Sequence, residues 1–269
     1  MYPEDNGPGD SWEPELLRLT GFTIGEVDGE AWWPEVAAAP LEKEARDLRE
    51  GTYQATGRLT GDDGQENVLR LQLAQGRVDW LQTPNQEPEN QEPEISPWRT
   101  MGSLESSLPA FIALLQPWLS RVDADFKRMA IGVVARRTVE SRESGYRILS
   151  KYLPFELPVG STDFLYQLNR PRESRALGDG SLVNRLQKWS VVSLKRVELT
   201  LGQGLGTTGE PGPSTEVIRP TTLGHGCRLE LDINTAAERE EPLPKERRVD
   251  ILEELAELAL EIASKGDIP

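Results

Sequence analysis

Apolar and polar residues alternate with a period of two through most of this chain, and only two long runs switch to a helical period. Strands must therefore supply most of the structure, and two helices must cover their apolar sides. The first helical run is Ser103–Val122, where Phe111, Leu114, Leu115, Trp118 and Leu119 recur at three- and four-residue steps. The second is Lys245–Lys265, where Ile251, Leu255, Leu258 and Ile262 form one stripe and Gly266 is placed as a C-cap. Ser107 reads as the N-cap of the first helix, with Pro109 near its first turn and Pro117 set to bend or shorten it.

Strand-like segments precede each helix. Leu16–Val27 comes first, then a meander of Thr52–Thr60, Asn67–Leu73 and Arg77–Gln82, turned at Gly61–Gly64 and Gln75-Gly76. Phe126–Val139 follows the first helix, and a short element at Tyr146–Leu153 and a strand at Phe164–Leu168 come next. Trp189–Leu201, Glu216–Arg219 and Cys227–Ile233 lead to the second helix. Leu41–Arg49 is predicted as a short helix, because Glu42 and Arg46 stand one helical turn apart. The expected fold is α+β, in two similar halves, each a curved antiparallel sheet packed against one long helix. Residues 1–15 form a flexible segment, 16–145 the first half and 146–269 the second. The first half carries a flexible insertion at 83–97, which contains the tandem pentapeptide Asn85-Gln86-Glu87-Pro88-Glu89 and Asn90-Gln91-Glu92-Pro93-Glu94.

The residue inventory restricts chemistry. The chain has one histidine, His225, and one cysteine, Cys227, two residues apart in Gly224-His225-Gly226-Cys227. On an extended chain they stand about 7 Å apart, too far for a nucleophile and its base, so a loop histidine beside a buried cysteine is expected. Neither residue type can complete a three- or four-ligand metal site, so no catalytic residue, metal or cofactor is assigned. Gly204-Leu205-Gly206-Thr207-Thr208-Gly209 has dinucleotide-type spacing, but Pro211 and Pro213 block the helix that would hold pyrophosphate, and a hairpin loop is expected. One cysteine forms no internal disulfide, and Met1–Asp5 lacks a basic and apolar leader, so a cytoplasmic location is expected.

Charge is unevenly spread. The chain carries a formal −15, which opposes general nucleic-acid binding and docking on anionic lipid. Yet residues 121–200 hold fifteen Lys or Arg against nine Asp or Glu, while the rest hold fifteen against thirty-six. Two readings stand side by side: basic and acidic parts face each other within one fold, or the basic stretch attracts an acidic partner. On the second reading the chain is a non-enzymatic binding or regulatory protein. A protein partner docks on Arg121–Arg196, chiefly through Arg136, Arg137, Arg170, Arg172 and Arg175. Two rivals remain: a single-stranded RNA binder using the same stretch, with Tyr152, Phe155, Phe164 and Tyr166 interleaved, and a carboxylate-metal hydrolase.

A family likeness rests on three segments: Arg77-Val78-Asp79-Trp80-Leu81 closing the meander, Lys127-Arg128-Met129-Ala130-Ile131-Gly132-Val133-Val134-Ala135 after the first helix, and Leu252-Glu253-Glu254-Leu255-Ala256 near the end. With that order of elements, the chain resembles a sporadically distributed family of uncharacterised prokaryotic proteins of similar length. The resemblance supplies no catalytic residues. It implies an accessory role in a prokaryotic defence or toxin-control system.

Overall fold

The alternating segments join in one antiparallel sheet of ten strands. A computed structural model describes residues 11–25, 27, 29–36, 41–47, 51–61, 64–85, 98–158, 160–178, 180–202, 215–239 and 241–267. In chain order the elements are β1 (Glu13–Thr23), α1 (Trp33–Val36), β2 (Lys43–Asp47), β3 (Thr52–Thr60), β4 (Glu66–Ala74), β5 (Arg77–Pro84), α2 (Leu104–Arg121) and β6 (Phe126–Val139). Then follow α3 (Arg142–Leu149), β7 (Leu165–Asn169), β8 (Arg172–Glu173), β9 (Leu182–Gly202), β10 (Thr215–Thr235) and α4 (Arg248–Lys265). The strands lie in the order β2-β3-β4-β5-β1-β6-β10-β9-β7, and β8 also pairs with β9.

This arrangement overturns the expected pair of sheet-plus-helix halves. β1 returns to lie between β5 and β6, and β6 pairs with β10 from His225↔Val139 to Asn234↔Ala130. Strands before and after residue 145 therefore share one sheet. The reason is physical: two separate sheets would leave two more unpaired edges, and edge backbone seeks partners. Joining them lets α2 and α4 pack on each other over one core.

That core lies on one side of the sheet. A single cross-strand row runs Ala55–Leu71–Trp80–Leu19–Ile131–Ile233, all of it buried. Phe111, Leu115 and Trp118 of α2 close over it with Ile251, Leu255 and Ile262 of α4. Each such side chain contributes about 1.5–3 kcal/mol through burial. Trp118 meets Trp80 at 5.6 Å and Trp32 at 5.4 Å between ring centroids. A second aromatic group joins Trp12, Tyr152 and Trp189 at 5.4–5.7 Å. Trp12 thus leaves the expected flexible 1–15 segment and anchors β1 in the core; its carbonyl also accepts from the Leu104 amide at 2.7 Å.

Local corrections follow the same logic. Lys43–Asp47 is the strand β2, not a helix, because so short a segment cannot offset helix nucleation while β3 offers it a ready ladder. The N-cap of α2 is Ser103, whose Oγ accepts from the Ser106 amide at 3.3 Å, and Ser107 lies inside the helix. Pro109 and Pro117 both sit within α2 on exposed positions, where water can take up the carbonyls they leave unpaired. The segments expected separately at Glu216–Arg219 and Cys227–Ile233 belong to one long β10, so His225 lies in a strand and not a loop. Gly266 closes α4 with φ 72, where a Cβ would collide with the Tyr152 backbone. The tandem pentapeptide after Asn85 and the Gly204–Gly209 motif lie outside the described residues. No helix is long and apolar enough to cross a membrane.

Candidate binding surface

All four helices sit on the core side, and among the described residues no helix or strand covers the other side of the sheet. Register decides what that open side carries. It is lined by Arg18 from β1, Arg58 from β3, Arg70 from β4 and Arg77 from β5. Arg128 and Arg136 come from β6, Lys188 from β9 and Arg228 from β10. The strand carboxylates on this side include Glu13 and Glu15 of β1, Asp47 of β2, Glu66, Asp79, Glu230 and Asp232, and Glu15 pairs with Arg136.

The geometry is shaped by small residues and ring contacts. Opposite Arg18 stands Gly132, and a Cβ there would lie 3.1 Å from the Arg18 Nε and Nη2. The guanidinium therefore lies flat across β6 and comes within 3.9 Å of Asp232 on β10. Farther along, Phe22 carries two cations, Arg128 at 5.0 Å and Arg77 at 5.7 Å from its centroid. Arg77 also holds the buried Asp79 carboxylate at 2.6 and 3.0 Å, and Thr20 donates to the same group at 2.5 Å. Arg70 has no carboxylate partner among the described residues. It borders an open depression of about 670 Å³ with Glu42, Lys43, Glu44, Gln54, Thr56 and Arg58.

Of the residues expected from sequence to contact a partner, Arg136 alone lies on this side. It is 5% exposed, sandwiched against Trp98 at 3.3 Å from the ring centroid and paired with Glu15 at 2.6 Å. Burial pushes its guanidinium down to about 10, against the pull of Glu15. Gly226 makes room for it, because a Cβ there would lie 2.9 Å from the Arg136 Cδ. The other four turn to the helix side. Arg137 donates to the Tyr152 hydroxyl at 3.4 Å. Arg170 grips Asp267 at 2.6 and 3.0 Å, Arg172 meets Glu261 at 3.2 Å and Arg175 meets Glu257 at 2.5 Å. The run 170–175 is thus held by carboxylates on and just beyond α4, so basic and acidic parts do face each other within the fold.

The arginines on the open side other than Arg136 were not singled out from sequence. Their signal was available, since Arg18, Arg70, Arg128 and Arg228 each occupy a polar position in an alternating strand. His225 accepts or donates at 2.7 Å to the Ser193 hydroxyl on the neighbouring strand, through Nδ1. Cys227 is fully buried, with its thiol pushed up to about 12 by burial. Among the described residues no three His, Cys, Asp or Glu side chains are gathered to hold a metal ion. No protein-family model, curated protein or solved structure matches this chain.

Proposed function

We propose that this chain is a non-enzymatic binding protein that docks an acidic protein partner on the open side of its sheet. One observation carries the reading: a ten-stranded sheet keeps its helices on one side and gathers arginines on the other, in a chain of formal charge −15. Cations concentrated on one face of an acidic molecule orient an incoming acidic surface and speed its encounter. Arginine suits such a contact, because its stem covers apolar surface while its planar head takes carboxylates in pairs. Apolar positions between the cations, such as Leu16, Leu81 and Val134, are partly buried in the free chain and add contact area.

A charge-reversed bait tests this. Native pull-down with the unaltered chain is compared with Arg18→Glu combined with Arg70→Glu, followed by mass spectrometry and repeated between about 0.05 and about 0.5 M salt. The expected result is an acidic protein retained at low salt, released at high salt and absent from the reversed bait. An identical set of proteins on both baits overturns the reading. Binding of a single-stranded RNA oligonucleotide with the same salt and charge dependence overturns it in favour of RNA recognition.

A further inference from the structure

β2 closes one edge of the sheet, and all five of its residues are exposed. β3 pairs one of its sides, and among the described residues nothing pairs the other. An unpaired edge is a template for another strand, and charges on it ordinarily discourage pairing. The charges on β2 are ordered differently. Lys43, Glu44, Ala45, Arg46 and Asp47 read plus, minus, neutral, plus, minus, and the reversed string is the complement of itself.

We infer that β2 pairs with β2 of a second copy of this chain, antiparallel and centred on Ala45. In that register Lys43 faces Asp47 of the second copy, Glu44 faces its Arg46, and two-fold symmetry repeats each contact. Neighbouring registers fail. A shift of one residue opposes Lys43 to Arg46 in one direction and Glu44 to Asp47 in the other. A shift of two opposes Glu44 to itself or Arg46 to itself. Like charges directly opposite are destabilising, so among antiparallel registers that pair three or more of these residues the string selects this one.

The sides also agree. Lys43 pairs with Thr56 and Ala45 with Gln54, which places Lys43, Ala45 and Asp47 toward the open side and Glu44 and Arg46 toward the helices. Every proposed pair then joins residues on the same side, as an antiparallel ladder requires. Arg46 and Asp47 each already have a contact within their own chain, which the pairing must replace or share. Exposed ion pairs are weak enough to exchange partners. The depression beside Lys43 and Ala45 meets its copy across the two-fold axis, and the two open sides become one continuous surface. Five residues bury less than a standard interface, so the dimer forms in the micromolar range or weaker.

Sedimentation equilibrium over about 1–500 µM tests the pairing, a range chosen to bracket a small interface. The unaltered chain dimerises. Glu44→Arg and Arg46→Glu each raise the dissociation constant at least about tenfold, since symmetry places each new like-charge contact in the interface twice. Combining the two restores dimerisation to within about threefold. The exchange Lys43→Asp with Asp47→Lys provides a second swap at separate positions. Amides of 43–47 exchange hydrogen more slowly as concentration rises, and tryptophan fluorescence confirms that every variant is folded. A monomer at all concentrations, a dimer indifferent to the single reversals, or a double variant no better than the singles overturns the inference. The inference is independent of the open-side reading, because Arg18 and Arg70 are untouched in every variant.

Discussion

Replacing Asp267 with asparagine isolates the contact that ties the segment after α4 to the far end of the sheet. The carboxylate is buried and accepts four side-chain bonds: Arg170 Nε at 2.6 Å and Gln187 Nε2 at 2.8 Å on Oδ1, and Tyr166 Oη at 2.7 Å and Arg170 Nη2 at 3.0 Å on Oδ2. Gln187 in turn accepts from the Trp189 indole at 2.9 Å. However the new amide is oriented, its nitrogen confronts an arginine donor. The tyrosine hydroxyl can rotate to accept, so the cheaper orientation loses one charged bond and weakens the rest. Charged bonds contribute about 1.5–3 kcal/mol, and the half-exposed Arg170 recovers part of that loss from water, which sets the expected cost at about 2 kcal/mol. For a chain of this length that is a fall in Tm of about 4–8 °C. Burial alone would raise the Asp267 carboxyl, but Arg170, Tyr166 and Gln187 outweigh it and hold the group below the usual carboxylate range. A lowered folded value stabilises above the unfolded value of about 3.9, and the contribution disappears as pH falls through the lower folded value. Urea unfolding followed by tryptophan fluorescence should therefore show a gap between the two proteins at pH 7 that closes in acid. A loss below about 0.5 kcal/mol at pH 7, or a gap that persists unchanged at pH 2, would refute the assignment.

Three further outcomes are expected. Glu254→Ala leaves the Ser174 hydroxyl and the Arg175 and Ala176 amides without their buried acceptor, costing about 2–3 kcal/mol, and hydrogen exchange at 174–177 should accelerate before global unfolding. Gly226→Ala drives a Cβ into the Arg136 stem, costing about 1–2 kcal/mol and changing the emission of Trp98, which the guanidinium otherwise covers. Cys227 should resist a thiol reagent at pH 8 in the folded chain and react fully in denaturant, because its thiol is both buried and poorly ionised; rapid labelling of the native protein would contradict that placement.

What the sequence disclosed, and what it withheld, divides along physical lines. Thr52–Thr60 and Phe126–Val139 were placed with correct ends, the first because one apolar side against one polar side gives alternation, the second because Met129, Ile131 and Val133 share one side of an apolar run. α2 and α4 were equally legible from their stripes. The position of β1 between β5 and β6 was not, since strand order depends on tertiary pairing that no local period encodes. β2 was misread because it has no apolar side at all, and the Glu42–Arg46 spacing then mimics a helical pair. Arg170, Arg172 and Arg175 suggested a docking patch for a related reason. Their partners Glu257 and Glu261 flank the buried stripe of α4, some ninety residues later, and only the fold brings them together.

Charge on an uncovered sheet is not in itself a sign of binding, because any solvated side needs polar cover. The sign of that charge is what distinguishes this one. Carboxylates outnumber cations by forty-five to thirty over the whole chain, so a side selected only for hydration would carry mostly acid. Here the strands place Arg18, Arg58, Arg70, Arg77, Arg128, Arg136, Lys188 and Arg228 on the open side. Interleaved carboxylates such as Asp79, Glu230 and Asp232 pair with several of them, while Glu257 and Glu261 of α4 hold the run 170–175. Gly132 sharpens the point: a side chain there would crowd the Arg18 guanidinium, and its absence lets that group lie level with the sheet. A flat cationic surface fits another surface, whereas raised and independent side chains would serve hydration equally well. Filling the gap with Gly132→Leu should therefore weaken retention of the proposed acidic partner by at least about tenfold with little change in Tm, a separation that hydration alone would not produce.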